Sequence, residues 1–329
     1  MKFGTVPVRA AEGAVLAHSV ALGQGRLRKG QVLGAPEIAK LEAAQVTEVV
    51  VARLEPGDVS EDAAAQRLAR AMVPDPAATG LRIGPAATGR VNLFADTIGV
   101  AEIDAARIDA INAVDPMITV ATVPRWQRMG QGGMVATVKI IAYAVPEAAL
   151  ARACDAARGA MRMRPTQVAS AQLIQTVVEG DDGERGHAAI AQRAERMGIA
   201  FGPKDIVRHE VAALAAALRR AEAELLLILT GSATSDPRDV APEALRAAGG
   251  VVHHFGMPVD PGNLLFVGAL EGRPVIGLPG CARSPALNGA DWVLERLACG
   301  VPVGPADIAG MGVGGLLKEI PTRPRPREG

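Results

Sequence analysis

Glu224-Leu-Leu-Leu-Ile-Leu-Thr-Gly231, continued by Ser232-Ala-Thr-Ser-Asp-Pro-Arg-Asp239, decides how the chain is read. The apolar run has strand length and no polar alternation, which is the pattern of a strand covered on both faces in a parallel sheet. The small polar residues behind it make a loop, Pro242 opens a helix, and Gly249-Gly250 closes it. A strand, a phosphate-sized loop and a helix N-terminus in that order welcome an anion, because backbone N–H groups and the helix dipole point outward there. A second such turn, Val275-Ile-Gly-Leu-Pro-Gly-Cys-Ala-Arg-Ser-Pro285, follows about forty residues later.

Outward from this stretch the same alternation continues. Gln167 to Val178 is strand-like, and Glu184 to Met197 reads as a helix with Ile190, Ala194 and Met197 inward. Ile199 to Val207 is strand-like, Val211, Leu214, Ala215 and Leu218 mark a helix face, and Val251 begins another strand. Strands alternating with helices imply an α/β domain of three layers, a mostly parallel sheet flanked by helices, over 164–315. Its ligands belong at the carboxyl ends of the strands, beside the two loops.

Residues 1–163 read as an N-terminal α+β region. Pro36 starts a helix through Ala44, Glu48 to Leu54 is a β-branched strand, and Glu61 to Met72 is a helix. Pro74 to Gly89 is rich in Pro and Gly and reads as a linker, with a sub-boundary at 74–89. Strands at Arg90–Phe94, Met117–Val123 and Met134–Tyr143 follow, with helices near Asp104–Asn112 and Pro146–Arg158. Arg90 and Asn92, beside Gly89, could contact a ligand, although a polar strand start is the commoner reason for such residues. Residues 316–329 form a C-terminal tail, locally basic at Thr322–Gly329.

Composition narrows the function. The chain has 329 residues, and its 35 basic and 35 acidic side chains cancel, so no global field attracts nucleic acid or a membrane. Aromatic residues are 2% of the chain, too few for a base-stacking platform. Cys154, Cys281 and Cys299 are far apart and form no CxxC pair, which argues against a disulfide framework or a thiolate zinc site. With no signal-peptide core and no membrane-length apolar run, the expected location is the cytoplasm.

The first loop carries hydroxyls at Thr230, Ser232, Thr234 and Ser235, carboxylates at Asp236 and Asp239, and the cation Arg238. Hydroxyls and N–H groups can hold phosphate oxygens, Arg238 can clamp an anion, and an Asp can hold Mg²⁺. A polar loop whose Asp and Ser simply cap the next helix fits equally well. In the second loop Ser284 is a good N-cap and Pro285 a good N1 residue, which places a helix from there to about Ala298 and Arg283 at its positive end. Cys281 could meet a metal or an activated phosphate, although a small buried thiol is the commoner role. His253 and His254 are adjacent on a strand, face opposite sides and cannot share one ion. His209 starts a helix at a strand end, where a pocket role is open although a cap-like surface role is the commoner one.

Thr230-Gly-Ser-Ala-Thr-Ser-Asp-Pro-Arg-Asp-Val-Ala-Pro-Glu-Ala244 resembles the TGGTG…RDVTPEA loop of the molybdenum-cofactor biosynthesis (MogA/MoeA-type) domain. Gly256-Met-Pro-Val-Asp-Pro-Gly262 and Gly277-Leu-Pro-Gly-Cys-Ala-Arg-Ser284 resemble the PGKP and GLPGNPVS turns of MoeA-type insertases. The nearest resemblance is to the molybdopterin-binding half of MobA–MoeA-like proteins. It implies a MogA-like fold and a molybdopterin pocket lined by Thr230, Gly231, Ser232, Ala233, Thr234, Asp236, Arg238, Asp260, Pro261, Gly262, Asn263, Pro279, Gly280, Cys281, Arg283 and Ser284. It also implies Asp239 and Glu184 as catalytic carboxylates, Asp239 holding Mg²⁺, and Mg-ATP as the adenylyl donor in the broader family. Implied partners are a pterin and a nucleotide, a molybdenum hydroxylase receiving the cofactor, and further copies of the chain.

The sequence departs from that pattern in two ways. Ser232 and Thr234 replace glycines of the adenylylating enzymes, crowding the backbone's approach to a phosphate. Asp260 and Asn263 replace the insertase lysines and remove positive charge. No LAAGxSxRMG-like motif occurs, so cytidylyl transfer is not expected. Adenylyl transfer, molybdate insertion and non-catalytic carriage of the cofactor all remain open.

Overall fold

The computed structural model describes residues 1–317. The basic stretch at Thr322–Gly329 lies outside the described residues. The chain forms two compact units, one of Met1–Thr97 with Ala101–Met163 and one of Ile98–Val100 with the residues from Arg164 on.

In the first unit, Glu48–Arg53 is the middle strand of a small antiparallel sheet between Lys2–Pro7 and Val15–Leu16. Leu16, Leu33 and Leu41 fill the core beneath it. Four antiparallel strands form a larger sheet in the order Ile118–Thr122, Met134–Ile140, Arg90–Ala95 and Leu81–Ile83. The helix Glu61–Met72 buries Ala65, Leu68 and Met72 against it, and Glu147–Ala157 packs on that helix. The Pro74–Gly89 stretch, expected as a linker, is built into this unit. Pro76–Thr79 is a helical turn capped by Asp75, and Leu81, fully buried, belongs to the edge strand.

The second unit positions the site. Its elements, labelled within the unit, are β1 (Ser170–Val177), α1 (His187–Arg196), β2 (Ala200–Phe201), β3 (Asp205–Arg208), α2 (Val211–Arg220), β4 (Leu225–Leu229), α3 (Val240–Ala247), β5 (Val251–Phe255), β6 (Phe266–Leu270), β7 (Arg273–Leu278) and α4 (Gly289–Ala298). Seven strands make one sheet in the order β2-β1-β4-β7-β6-β5, with β3 also paired to β1. Pairing is parallel from β2 and β3 through β7 and antiparallel at β6 and β5. All five residues of β4 are buried, as a strand covered on both faces requires.

Two helix layers sandwich the sheet. Leu214, Leu218, Ala244 and Leu245 of α2 and α3 pack on Ile174, Leu226 and Ile228. α1 leads from β1 outward to β2 and β3, and α2 returns past β1 to β4. Right-handed crossovers in opposite directions put these helices on opposite faces, so Gln175, alternating with Ile174 and Thr176, points toward the α1 layer. No helix among the described residues is long and apolar enough to cross a membrane.

Candidate functional site

β4 and β7 are parallel neighbours, with Leu226 beside Val275 and Leu229 beside Leu278. The turns that follow them therefore leave the sheet side by side at its carboxyl edge. A hydrogen bond ties them together: Arg283 Nη2 donates to the Thr230 carbonyl at 2.8 Å. The loop between β1 and α1 closes a third side, since a Cβ on Gly186 would stand 2.9 Å from Leu229 Cδ2 and 3.0 Å from Arg283 Cγ. The Asp260–Asn263 turn packs against the start of α4. Gly289 at the start of α4 donates its N–H to the Pro261 carbonyl at 2.9 Å, and Met257 donates to the Asn263 carbonyl at 3.0 Å. Gly262 is buried there with φ of 140°. Asp260 pairs by its backbone with Gly315 and Leu317, and Asn263 is exposed.

Within the first turn the hydrogen-bonding groups divide into spent and unspent. Gly231 N–H donates to Thr176 Oγ1 at 3.0 Å, and Thr230 Oγ1 lies 3.2 Å from Thr234 Oγ1, both threonines being buried. Asp236 Oδ1 accepts the Arg238 N–H at 2.8 Å and faces its guanidinium at 3.5 Å, both residues standing in solvent. Ser232 and Ala233 are exposed, and the N–H groups of Ser232, Ala233 and Thr234 have no partner among the described residues. They are the donors left for a ligand.

Asp239 is committed to the fold. Its Oδ1 accepts the Val240 N–H at 2.8 Å and its Oδ2 the Ser235 N–H at 3.1 Å, so it caps α3 and closes the turn at once. Both oxygens are thus occupied by backbone donors, and no group of three His, Cys, Asp or Glu among the described residues could hold a metal ion. Glu184, expected within a helix, lies instead in the exposed loop before α1, which begins only after Gly186 turns the chain at φ of 99°.

The second turn is a short 3-10 helix, Gly280–Arg283, with Pro279 before it and Ser284 as its C-terminal cap. The helix expected from Ser284 starts five residues later, at Gly289. Asn288 wins the cap position because Asn288 and Asp291 form a capping box, with Asn288 Oδ1 accepting Ala290 N–H at 2.9 Å and Asp291 Oδ2 accepting Asn288 N–H at 2.8 Å. What holds the residues between the two helices is a buried guanidinium. Arg193 of α1, 5% exposed, donates through Nε to Asp291 Oδ1 at 2.6 Å. Its Nη groups reach the carbonyls of Ala189, Ala282, Ser284 and Ala286 at 2.9–3.0 Å.

Arg193, Thr176 and His209 carry the site's framework; Arg193 and Thr176 did not stand out as candidates for it, and His209 did so only as the less common of two readings. Arg193 did leave a signal: it falls on the Ile190, Ala194, Met197 stripe, where a charge needs a buried partner. Cys281 is half-buried in the second turn, and burial pushes its thiol up, away from the thiolate a metal or nucleophile would need. Gln175, fully buried on β1 beside Leu229, has neither amide atom in a hydrogen bond among the described residues.

The carboxyl-edge turns of this parallel α/β sheet carry unspent N–H groups, hydroxyls and the Arg283 guanidinium. Residues 170–298 match the family described as a probable molybdopterin binding domain. Residues 5–53 match a family described as a domain of unknown function (DUF8806). No curated protein matches the chain. Among solved structures, the chain is similar to a molybdopterin biosynthesis moea protein from Pyrococcus horikosii, at 13% identity, with 94% of this chain and 76% of that one covered and a TM-score of 0.29. It is also similar to a molybdenum cofactor biosynthesis protein B, at 12% identity over 41% of this chain and 95% of that one, with a TM-score of 0.30. A molybdenum cofactor biosynthesis protein from Pyrococcus furiosus gives 13% identity, coverage of 94% and 65%, and a TM-score of 0.25. Superpositions this loose place no residue.

Proposed function

We propose that the second unit binds molybdopterin at the carboxyl edge of its sheet and that the protein serves molybdenum-cofactor biosynthesis as a pterin-binding protein. The observation that carries this reading is the Arg283–Thr230 bond, which makes one site of two anion-friendly turns. Arg283 commits one N–H to that carbonyl, and a guanidinium has five. In this reading its remaining donors, the N–H groups of Ser232, Ala233 and Thr234 and the Ser232 hydroxyl hold the terminal phosphate. Pro279, Gly280, Cys281 and Ser284 on one side and Asp260, Pro261, Gly262 and Asn263 on the other flank the pterin rings.

Of the three roles open to such a protein, holding the cofactor is favoured over adenylylating it. Adenylyl transfer depends on Mg²⁺ neutralising phosphate charge, and Asp239, the carboxylate suited to that task, has both oxygens engaged by backbone N–H groups. Calorimetric titration with molybdopterin, followed by Mg-ATP and a pyrophosphate assay, tests both levels. Saturable pterin binding without pyrophosphate release is the expected result. Pyrophosphate release would replace the carrier role with transfer, and absence of pterin binding would end the reading.

A further inference from the structure

Thr176 and His209 stand behind the first turn and touch it at one atom. Thr176 is fully buried near the end of β1, and its Oγ1 lies 2.8 Å from His209 Nδ1 and 3.0 Å from the Gly231 nitrogen. His209 follows β3, the strand whose Arg208 pairs with Val177, and its own N–H donates to the Val177 carbonyl at 3.0 Å. The backbone thus fixes the imidazole beside the hydroxyl.

Counting donors settles the direction of the chain of bonds. Gly231 N–H can only donate, so Thr176 Oγ1 accepts from it. The hydroxyl proton then needs an acceptor, and Nδ1 is the only one within reach among the described residues. His209 is therefore unprotonated at Nδ1 and carries its proton on Nε2. The same proton on Nδ1 would leave the buried hydroxyl with two donors facing it and no acceptor, an arrangement that costs a hydrogen bond.

We infer that His209 is a positioning residue of the site: through Thr176 it holds the Gly231 amide turned inward, so that the amides of Ser232, Ala233 and Thr234, and not that of Gly231, are presented to an anionic ligand. The ligand part of this inference rests on the pterin reading above, but the Gly231 part does not. Asparagine keeps an acceptor about where Nδ1 lies, whereas alanine removes it, and the pair separates hydrogen bonding from bulk.

The experiment uses the full chain and its H209A, H209N and T176V variants. Amide exchange of Gly231 is read by nuclear magnetic resonance, and affinity is read by titration with molybdopterin. In the wild type the His209 ring nitrogens are expected to report the Nε2–H tautomer. H209A is expected to speed Gly231 exchange and to raise the pterin dissociation constant about three- to tenfold, the range for one hydrogen bond. H209N is expected to restore both to within about twofold, and H209A is expected to add nothing to T176V, as members of one chain should behave. The inference is overturned by the Nδ1–H tautomer, by Gly231 exchange indifferent to H209A, by H209N behaving like H209A, or by additive effects of H209A and T176V. Failure of the wild type to bind molybdopterin would sink the proposed function alone, with the Gly231 exchange and tautomer results still deciding the role of His209.

Discussion

Replacing Arg193 by Met tests the account of the second turn most severely. The side chains of Arg193 and Asp291 are 5% and 9% exposed, so neither can exchange its partner for solvent. Met fills the space of the aliphatic stem but withdraws donors from Asp291 and from the carbonyls of Ala189, Ala282, Ser284 and Ala286. Removing one member of a buried pair costs about 3–5 kcal/mol, chiefly because the other charge stays behind. For a unit of this size each kcal/mol shifts the midpoint by about 2–4 °C, so the expected drop in Tm is about 6–20 °C. Thermal unfolding followed by tryptophan fluorescence is the assay, Trp292 being the residue next to Asp291. Adding Asp291→Asn removes the stranded charge while leaving an oxygen to cap α4, and is expected to recover about 1–3 kcal/mol. A loss below about 1 kcal/mol for Arg193→Met would refute the claim that this guanidinium organises the turn.

Three further outcomes follow from the geometry. Arg283→Ala should weaken pterin binding by about 1–3 kcal/mol, the range for a charged hydrogen bond, and an unchanged calorimetric isotherm removes Arg283 from the site. Gln175→Leu relieves a buried amide that has no partner among the described residues, so it should stabilise the fold by about 1–3 kcal/mol; a lowered urea midpoint would mean the amide is satisfied. Burial raises the thiols of Cys154 and Cys281, and that of Cys299 to about 11, so each carries less thiolate near pH 8 than free cysteine does. Iodoacetamide should therefore label all three slowly, Cys299 slowest, with rates climbing as pH rises; stoichiometric labelling of Cys281 within minutes at pH 7.5 would contradict this.

The sheet was legible because β4 is five consecutive buried apolar residues, a local pattern that needs no partner to be read. Its turns were legible for the same reason, since polar and glycine residues between a strand and a helix are a short-range signal. The start of α4 was not. Ser284-Pro285 is a sound local N-cap and N1, but the cap went to Asn288, beside an Asp291 held by a side chain 98 positions away. The contact between Thr176 and His209 was equally hidden, the two lying 33 residues apart until the parallel pairing of β1 and β3 set Val177 beside Arg208. The Pro74–Gly89 stretch misled in the opposite direction, because residues that build turns inside a unit share their composition with residues that join units. Asp239 shows the same ambiguity at a single position: a carboxylate before a helix suits a cation and suits a cap, and the hydrogen bonds here are those of a cap.

Gly231 lies almost in contact with the neighbouring strand: a methyl group there would stand 2.9 Å from the Thr176 carbonyl, 3.0 Å from the Val178 nitrogen and 3.2 Å from Val177 Cα. With its amide fastened to Thr176 as well, this corner is a weld between two segments and cannot swing as a hinge. Any shift of the Thr230–Asp239 turn must drag the tip of β1 with it, and the Glu179–Gly186 loop hangs from that tip. A ligand settling on the Thr230–Asp239 turn would tug that loop through rigid backbone, with no flexible lid required.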